Sequence, residues 1–164
     1  ALKQSFALSN LSIVPKGLSS KSGELELHYI QPGSGSASYD PVEMEGHSKI
    51  QTEVTTLDSF FGNTGKPVQF IKCDVEGHEL DVLTGGQNLL LKCQPIIALE
   101  SEARHCGEDN VMAVFDLLHN LNYDGYFFNG ALMSSLDNFD IYEYQLNPKN
   151  KIYVNNFFFM PKKY

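Results

Sequence analysis

Val68-Gln-Phe-Ile-Lys-Cys-Asp74-Val-Glu76-Gly77-His78-Glu79-Leu-Asp-Val-Leu83-Thr-Gly85-Gly86 is the stretch that decides the fold. It opens as a short β-prone run, reaches an acid at Asp74, turns at Gly77 and resumes with helical spacing at Leu80 and Leu83 before a Gly-Gly stop. The reading is strand, acidic turn, helix. In an open α/β sheet, ligands bind at the carboxyl ends of strands, where loops diverge and helix N-termini face the crevice. Asp74 and Glu76 therefore stand where chemistry is expected.

Downstream, Ile96-Ile97-Ala98-Leu99 is a continuous apolar run, as in a parallel strand covered on both faces, and Glu100 ends it. Between the two strands, Leu89-Leu90-Leu91 is a short apolar piece. Val111, Val114, Phe115, Leu118 and Leu121 follow helical spacing, with Asp109 or Asn110 available as the cap. Asn129-Gly130 predicts a hairpin turn between residues 126–128 and 131–133. Residues 134–151 read as a polar loop, and Tyr153 to Met160 as a final strand stopped by Pro161.

Upstream, Leu2 and Phe6 suit the end of a helix, and Leu11 to Val14 read as a short strand stopped by Pro15, with Gly17 to Ser20 as its turn. Glu24 to Tyr29 and Ile50 to Val54 alternate polar and apolar residues like half-exposed strands. Residues 31–48, rich in Gly, Pro and Ser, read as a loop. Thr56 or Asp58 caps a short helix reaching Phe61.

A chain of 164 residues forms one domain, and residues 1–164 are read as such. The net charge of −8 repels phosphate backbones, so no nucleic-acid partner is expected, and Lys149, Lys151, Lys162 and Lys163 read as a solvated edge. No apolar run approaches the ~20 residues that span a bilayer, and no basic-then-apolar leader opens the sequence, so neither a membrane partner nor secretion is expected. Three cysteines without a C-x-x-C pair argue against a zinc ribbon or a disulfide framework and for a reducing, cytoplasmic setting. Cys73, inside the central strand, reads as a small buried hydrophobe.

Phe70-Ile-Lys-Cys-Asp-Val-Glu-Gly-His-Glu-Leu-Asp-Val-Leu-Thr-Gly85 resembles the signature of the FkbM family of S-adenosylmethionine-dependent methyltransferases, roughly (I/V)K-x-D-(V/I)-E-G-x-E-x-x-V-L-x-G. Thr56-Leu57-Asp58 before it, Glu100 at the end of the next strand and the closing strand before Pro161 fit the same pattern, from about residue 8 onward. The resemblance implies a partial Rossmann-like α/β sheet, mixed parallel with an antiparallel C-terminal hairpin and lacking the first two strands. Neither the family's Asp-x-Gly-x-x-x-Gly loop nor the acid after its second strand has a counterpart here. In the family's strand order, 3-2-1-4-5-7-6, this leaves the Phe70 to Cys73 edge exposed. A partial gene product, local strands rearranged over the edge, or a homodimer paired across it are the three outcomes expected.

S-adenosylmethionine is the cofactor the resemblance implies, with Leu18 and Ser19 in the turn near its adenine and Asp74 beside it. The acceptor is a hydroxyl of a small molecule or sugar, and Asp74, Glu76 and Glu100 are the candidate catalytic acids, Asp74 first as base or acceptor anchor. Asp74 and Glu76 are also read as acids that bind backbone N–H groups to shape the turn, Glu79 as a capping acid and His78 as a satisfied or solvent-facing histidine. Asp74, Glu76 and Glu100 with His78 or His105 form an oxygen-rich set, but no ligand-spacing motif accompanies them and no metal is expected. The rival reading is a non-catalytic fragment or interaction module that dimerises through the exposed edge.

Overall fold

The computed structural model describes residues 10–29, 37–38, 48–62 and 66–162. Strands β1 (Gly17–Leu18), β2 (Gly23–Tyr29), β3 (Ala37–Ser38) and β4 (Ser48–Thr55) make one sheet in the order β1-β4-β2-β3. The two alternating segments pair antiparallel, from Gly23 opposite Val54 to Tyr29 opposite Ser48. The strand expected at Leu11 to Val14 is absent. Ile13 and Val14 lie exposed, and the residues that pair, parallel to β4, are Gly17 and Leu18, expected as a turn. Pro15 has no N–H to give to a ladder, and pairing begins beyond it. Of the loop expected at 31–48, Ala37 and Ser38 instead pair with Tyr29 and His28. Most of its other residues, like the helix expected at Leu2 to Leu8, lie outside the described residues.

The second sheet holds β5 (Phe70–Cys73), β6 (Ile96–Glu100), β7 (Tyr123–Asn129), β8 (Leu132–Ser135) and β9 (Asn156–Pro161), in the order β5-β6-β9-β7-β8. β5 and β6 are parallel, and β9 runs antiparallel to both β6 and β7. This is the mixed α/β arrangement with a C-terminal hairpin read from the sequence. Asn129 pairs with Leu132, so the turn is Gly130-Ala131, one residue later than expected. Gly130 takes φ +63°, which suits glycine at the first central position of a type II′ turn.

Of helices α1 (Leu57–Phe61), α2 (Glu79–Thr84), α3 (Gln87–Cys93), α4 (Ala103–Cys106) and α5 (Glu108–Asn120), α1, α2 and α5 are the ones expected, while α3 and α4 are not read as helices from the sequence. Leu89 to Leu91 belong to α3. Thr56 caps α1, its hydroxyl accepting from Ser59 N–H at 2.9 Å. Asp58 caps α3 instead, accepting from the N–H groups of Asn88 (3.2 Å) and Leu89 (2.8 Å). α5 starts earlier than expected, after Gly107 at φ +81°, so Asp109 and Asn110 sit within its first turns and no side chain caps it.

The helices bury Val82, Leu83, Leu90, Val114 and Leu118 against Ile97, Leu99, Phe157 and Phe159 on one face of the second sheet. Cys73 is buried there too, as expected. Residues 134–151 are not a simple loop: Leu136–Asn138 form a 3-10 turn and Tyr142–Leu146 a π-helical turn. Phe139 packs edge-on to Phe157 at 5.0 Å, and Gln145 bonds Ala103 N–H, Ser101 C=O and Val154 C=O. Because Val154 N–H goes to Tyr144 C=O, β9 begins at Asn156 rather than Tyr153.

On the opposite face, the alternate residues Phe70, Ile96, Phe128 and Met160 are exposed, Phe70 by 57%. Among the described residues β6 is the only strand paired with β5. Among the described residues, then, the far edge of β5 is paired with no strand, and the β1-β4-β2-β3 sheet does not pair with it.

Candidate active site

Cys73 stands opposite Leu99 in parallel register, so the next residues, Asp74 and Glu100, emerge side by side at the carboxyl edge of β5 and β6. Asp74 is exposed, with Oδ2 2.6 Å from Lys72 Nζ, two residues back on the same face. The chain then turns through Glu76 at φ +52° and Gly77 at φ +100°. Glu79 holds this turn from beneath, Oε1 accepting from Val75 N–H (3.2 Å) and Gly77 N–H (3.1 Å). Read from the sequence as a capping acid, Glu79 instead bonds the turn ahead of α2, the turn-shaping role that the sequence reading offered to Asp74 and Glu76. Glu79 is 2% exposed, and its Oε2 has no hydrogen-bond partner among the described residues. Burial pushes its carboxyl up from the ordinary range. Burial also pushes the neighbouring Cys73 thiol to about 12, making it an inert core group.

His78 is buried, Nε2 3.0 Å from Ser19 Oγ and Nδ1 3.7 Å from Asp81 Oδ2, the satisfied histidine of the sequence reading. Ser20 Oγ donates to Asp81 Oδ1 at 2.6 Å, and Ser19 N–H to Thr55 C=O at 3.0 Å. The bonds to His78 and Asp81 clasp Ser19 and Ser20 to the start of α2, and the bond to Thr55 ties Ser19 to the end of β4. Ser19 is buried with its hydroxyl toward His78, while Leu18 is half-buried against the core.

Glu100 is half-buried and accepts from Asn155 Nδ2 at 3.0 Å. Burial first, then the charge of Asp74, pushes its carboxyl up. Glu102, which sequence reasoning missed, is the hub of this edge. It is 3% exposed, accepts from Asn155 Nδ2 (2.6 Å) and Tyr153 Oη (2.9 Å), and pairs with the Arg104 guanidinium. Burial alone would push Glu102 up, but the bonds from Asn155, Tyr153 and Arg104 outweigh it and hold the carboxyl below its ordinary range. The Tyr153 hydroxyl is pushed to about 12 by burial and by Glu102. His105 Nε2 links the cluster, 3.3 Å from Glu76 Oε2 and 3.8 Å from Glu102 Oε2. No local spacing marks Glu102, whose partners Tyr153 and Asn155 lie 51 and 53 residues further on.

Asp74, Glu76, Glu100 and Glu102 thus converge on one sheet edge. Such an edge can accept hydrogen bonds from hydroxyls and take up a proton. Among the described residues no group of three His, Cys, Asp or Glu side chains is arranged to hold a metal ion. Clefts of about 500 Å³ beside Tyr123 to Tyr126 and about 450 Å³ beside Pro67 and Cys93 lie at the other edge, where β5, β6 and β7 begin. No helix among the described residues is long and apolar enough to cross a membrane.

A crystal structure of methyltransferase FkbM from Methylobacillus flagellatus KT superposes with a TM-score of 0.56 at 13% identity, covering 96% of this chain and 32% of that one. The chain therefore spans about a third of that protein, and the likeness is one of fold. No curated protein matches. Residues 4–128, well over half of the chain, match the methyltransferase FkbM domain, and the chain belongs to that family.

Proposed function

We propose that these residues are the acceptor-side part of an S-adenosylmethionine-dependent O-methyltransferase domain acting on a hydroxyl of a small molecule or sugar. The observation that carries this reading is the convergence of Asp74, Glu76, Glu100 and Glu102 on the carboxyl edge of two parallel strands, in a chain of the FkbM family. The residues we assign to the cofactor are an acid, an apolar side chain and a hydroxyl, side-chain types that a nucleoside can use. Asp74 offers an exposed carboxylate and Leu18 a half-buried apolar surface, while Ser19 fixes the turn through His78. Bound there, the cofactor supplies an activated methyl group, and the chain's own acids orient the acceptor and remove its proton. We assign a reducing, cytoplasmic setting on the three cysteines of the sequence, which include no C-x-x-C pair.

Calorimetry with S-adenosylmethionine tests this. Heat should appear with a version extended at its N-terminus by the family's glycine-rich first strands. Absence of heat from both that version and the 164-residue chain rejects the cofactor.

The unpaired β5 edge with its exposed Phe70 favours a second reading, an interaction module that dimerises through that edge. Under it, sedimentation of the 164-residue chain gives a dimer and Phe70→Lys gives a monomer with an unchanged circular dichroism spectrum. A monomeric wild-type chain removes this reading.

A further inference from the structure

Four acids share the carboxyl edge, but their surroundings divide their roles. Asp74 is engaged by Lys72 at 2.6 Å, and Glu76 by His105 at 3.3 Å. Glu102 is walled in by Asn155, Tyr153 and Arg104. Glu100 differs: it is half-buried at the end of β6, and the polar contact it makes is the Asn155 amide at 3.0 Å, on one oxygen. That amide nitrogen spans both acids, donating to Glu100 and, at 2.6 Å, to Glu102. An amide NH2 has two protons to donate, and this one uses them on two carboxylates held in one orientation.

We propose that Glu100, rather than Asp74, takes the acceptor's proton, and that Asn155 and Glu102 are the residues that position it. This rests on the methyl-transfer reading above. In the step, the acceptor's O–H bond breaks and its proton passes to a Glu100 oxygen. The O–CH3 bond forms as the sulfonium's S–CH3 bond breaks, with the electron pair left on sulfur. Glu102 stays anionic throughout, because Arg104 and two neutral donors satisfy it. Asp74, fixed by Lys72, anchors the reactants. Burial and the neighbouring acids push the Glu100 carboxyl up, which makes its ionised form a better proton acceptor, while the bonds to Glu102 hold that carboxyl down.

The groups facing Glu100 are Lys72, Asp74 and Glu76 from β5 and its turn, Glu102 from the segment after β6, and Asn155 and Tyr153 from the segment before β9. Of these, Glu102 contributes negative charge and Asn155 a hydrogen bond to the ionised form. Their removal should therefore act with opposite signs.

The test is a carbon-13 titration of the glutamate carboxyls in the 164-residue chain, with the Glu100 resonance assigned by its loss in Glu100→Gln. We expect Glu100 to titrate above ordinary glutamates. Glu102→Gln, which keeps an acceptor for Asn155, should lower its midpoint, and Asn155→Ala should raise it. A purely structural role would let water in and move both variants toward the ordinary value. That outcome, or no movement in either, overturns the assignment. If Asn155→Ala fails to fold, the direction of the Glu102→Gln shift decides alone. The titration needs neither cofactor nor acceptor, so its failure removes the Glu100 assignment and leaves methyl transfer standing. Failed calorimetry removes methyl transfer whatever the titration gives.

Discussion

Gly85→Ala should destabilise the chain by roughly 3 kcal/mol, at the upper end of what overpacking costs, and lower its melting temperature by about 6–12 °C for a chain of this size. Gly85 follows α2 with φ −73° and ψ −1°, a conformation alanine adopts freely, so backbone strain plays no part. The effect comes from approach: a Cβ there would lie 2.2 Å from the Ser19 carbonyl oxygen, which belongs to backbone and cannot swing aside. Relieving that contact means pulling residues 17–20 off α2. That breaks the His78–Ser19 and Ser20–Asp81 bonds and the clasp between the two sheets. Gly86→Ala is the control. Its Cβ would meet Leu57 at Cδ1 (2.7 Å) and Cβ (3.0 Å), side-chain atoms rather than a backbone carbonyl at 2.2 Å, so the loss should be smaller. Equal melting temperatures for the two variants would show that the Ser19 turn is not clasped as described.

Glu79→Ala should cost about 3 kcal/mol in urea unfolding at neutral pH, because it leaves the N–H groups of Val75 and Gly77 buried without acceptors. The turn they hold carries both Asp74 and Glu76, so local protection of those amides from hydrogen exchange should fall with it. Glu79→Gln keeps the acceptor and removes a buried charge, and should lie within about 1 kcal/mol of wild type on the scale of a single neutral hydrogen bond. The pH dependence follows from burial. A carboxyl whose folded value is raised binds its proton more tightly in the native state than in the unfolded one. Stability from this group is therefore complete below the unfolded glutamate range and falls as pH rises through the raised value. Wild type should lose stability across that acidic window, and Glu79→Gln should lose less. A steeper fall in Glu79→Gln would contradict the burial of an uncompensated carboxylate.

The second sheet was legible because its signals are local. The β5 stretch, the Ile96 to Leu99 run and the Asn129-Gly130 dipeptide each state their element within a few residues, and the family pattern supplied the strand order. Misread elements depend on distant partners. Gly17 and Leu18 become a strand because β4 offers Val54 and Thr55, while the more apolar Ile13 and Val14 pair with no strand among the described residues. The turn at Tyr142–Leu146 forms around Gln145, which bonds backbone some forty residues earlier, at Ser101 and Ala103. At the site, Asp74, Glu76 and Glu100 were visible as strand-end acids, whereas Glu102 lay hidden in a polar stretch whose local sequence suits an exposed turn. Only the return of the chain before β9, bringing Tyr153 and Asn155, makes it a buried hub.

The most direct test of the central claim is transfer of a labelled methyl group from S-adenosylmethionine by the N-terminally extended protein, across a panel of methyl glycosides and hydroxylated aromatics. The products would be identified as methyl ethers. The carboxylate edge as described predicts transfer to at least one hydroxyl, reduced about 10²-fold or more in Glu100→Gln, with that variant still binding the cofactor and melting like wild type. Transfer that is undiminished when Glu100, Asp74 and Glu76 are each replaced by their amides would show that the chemistry lies elsewhere and contradict the account.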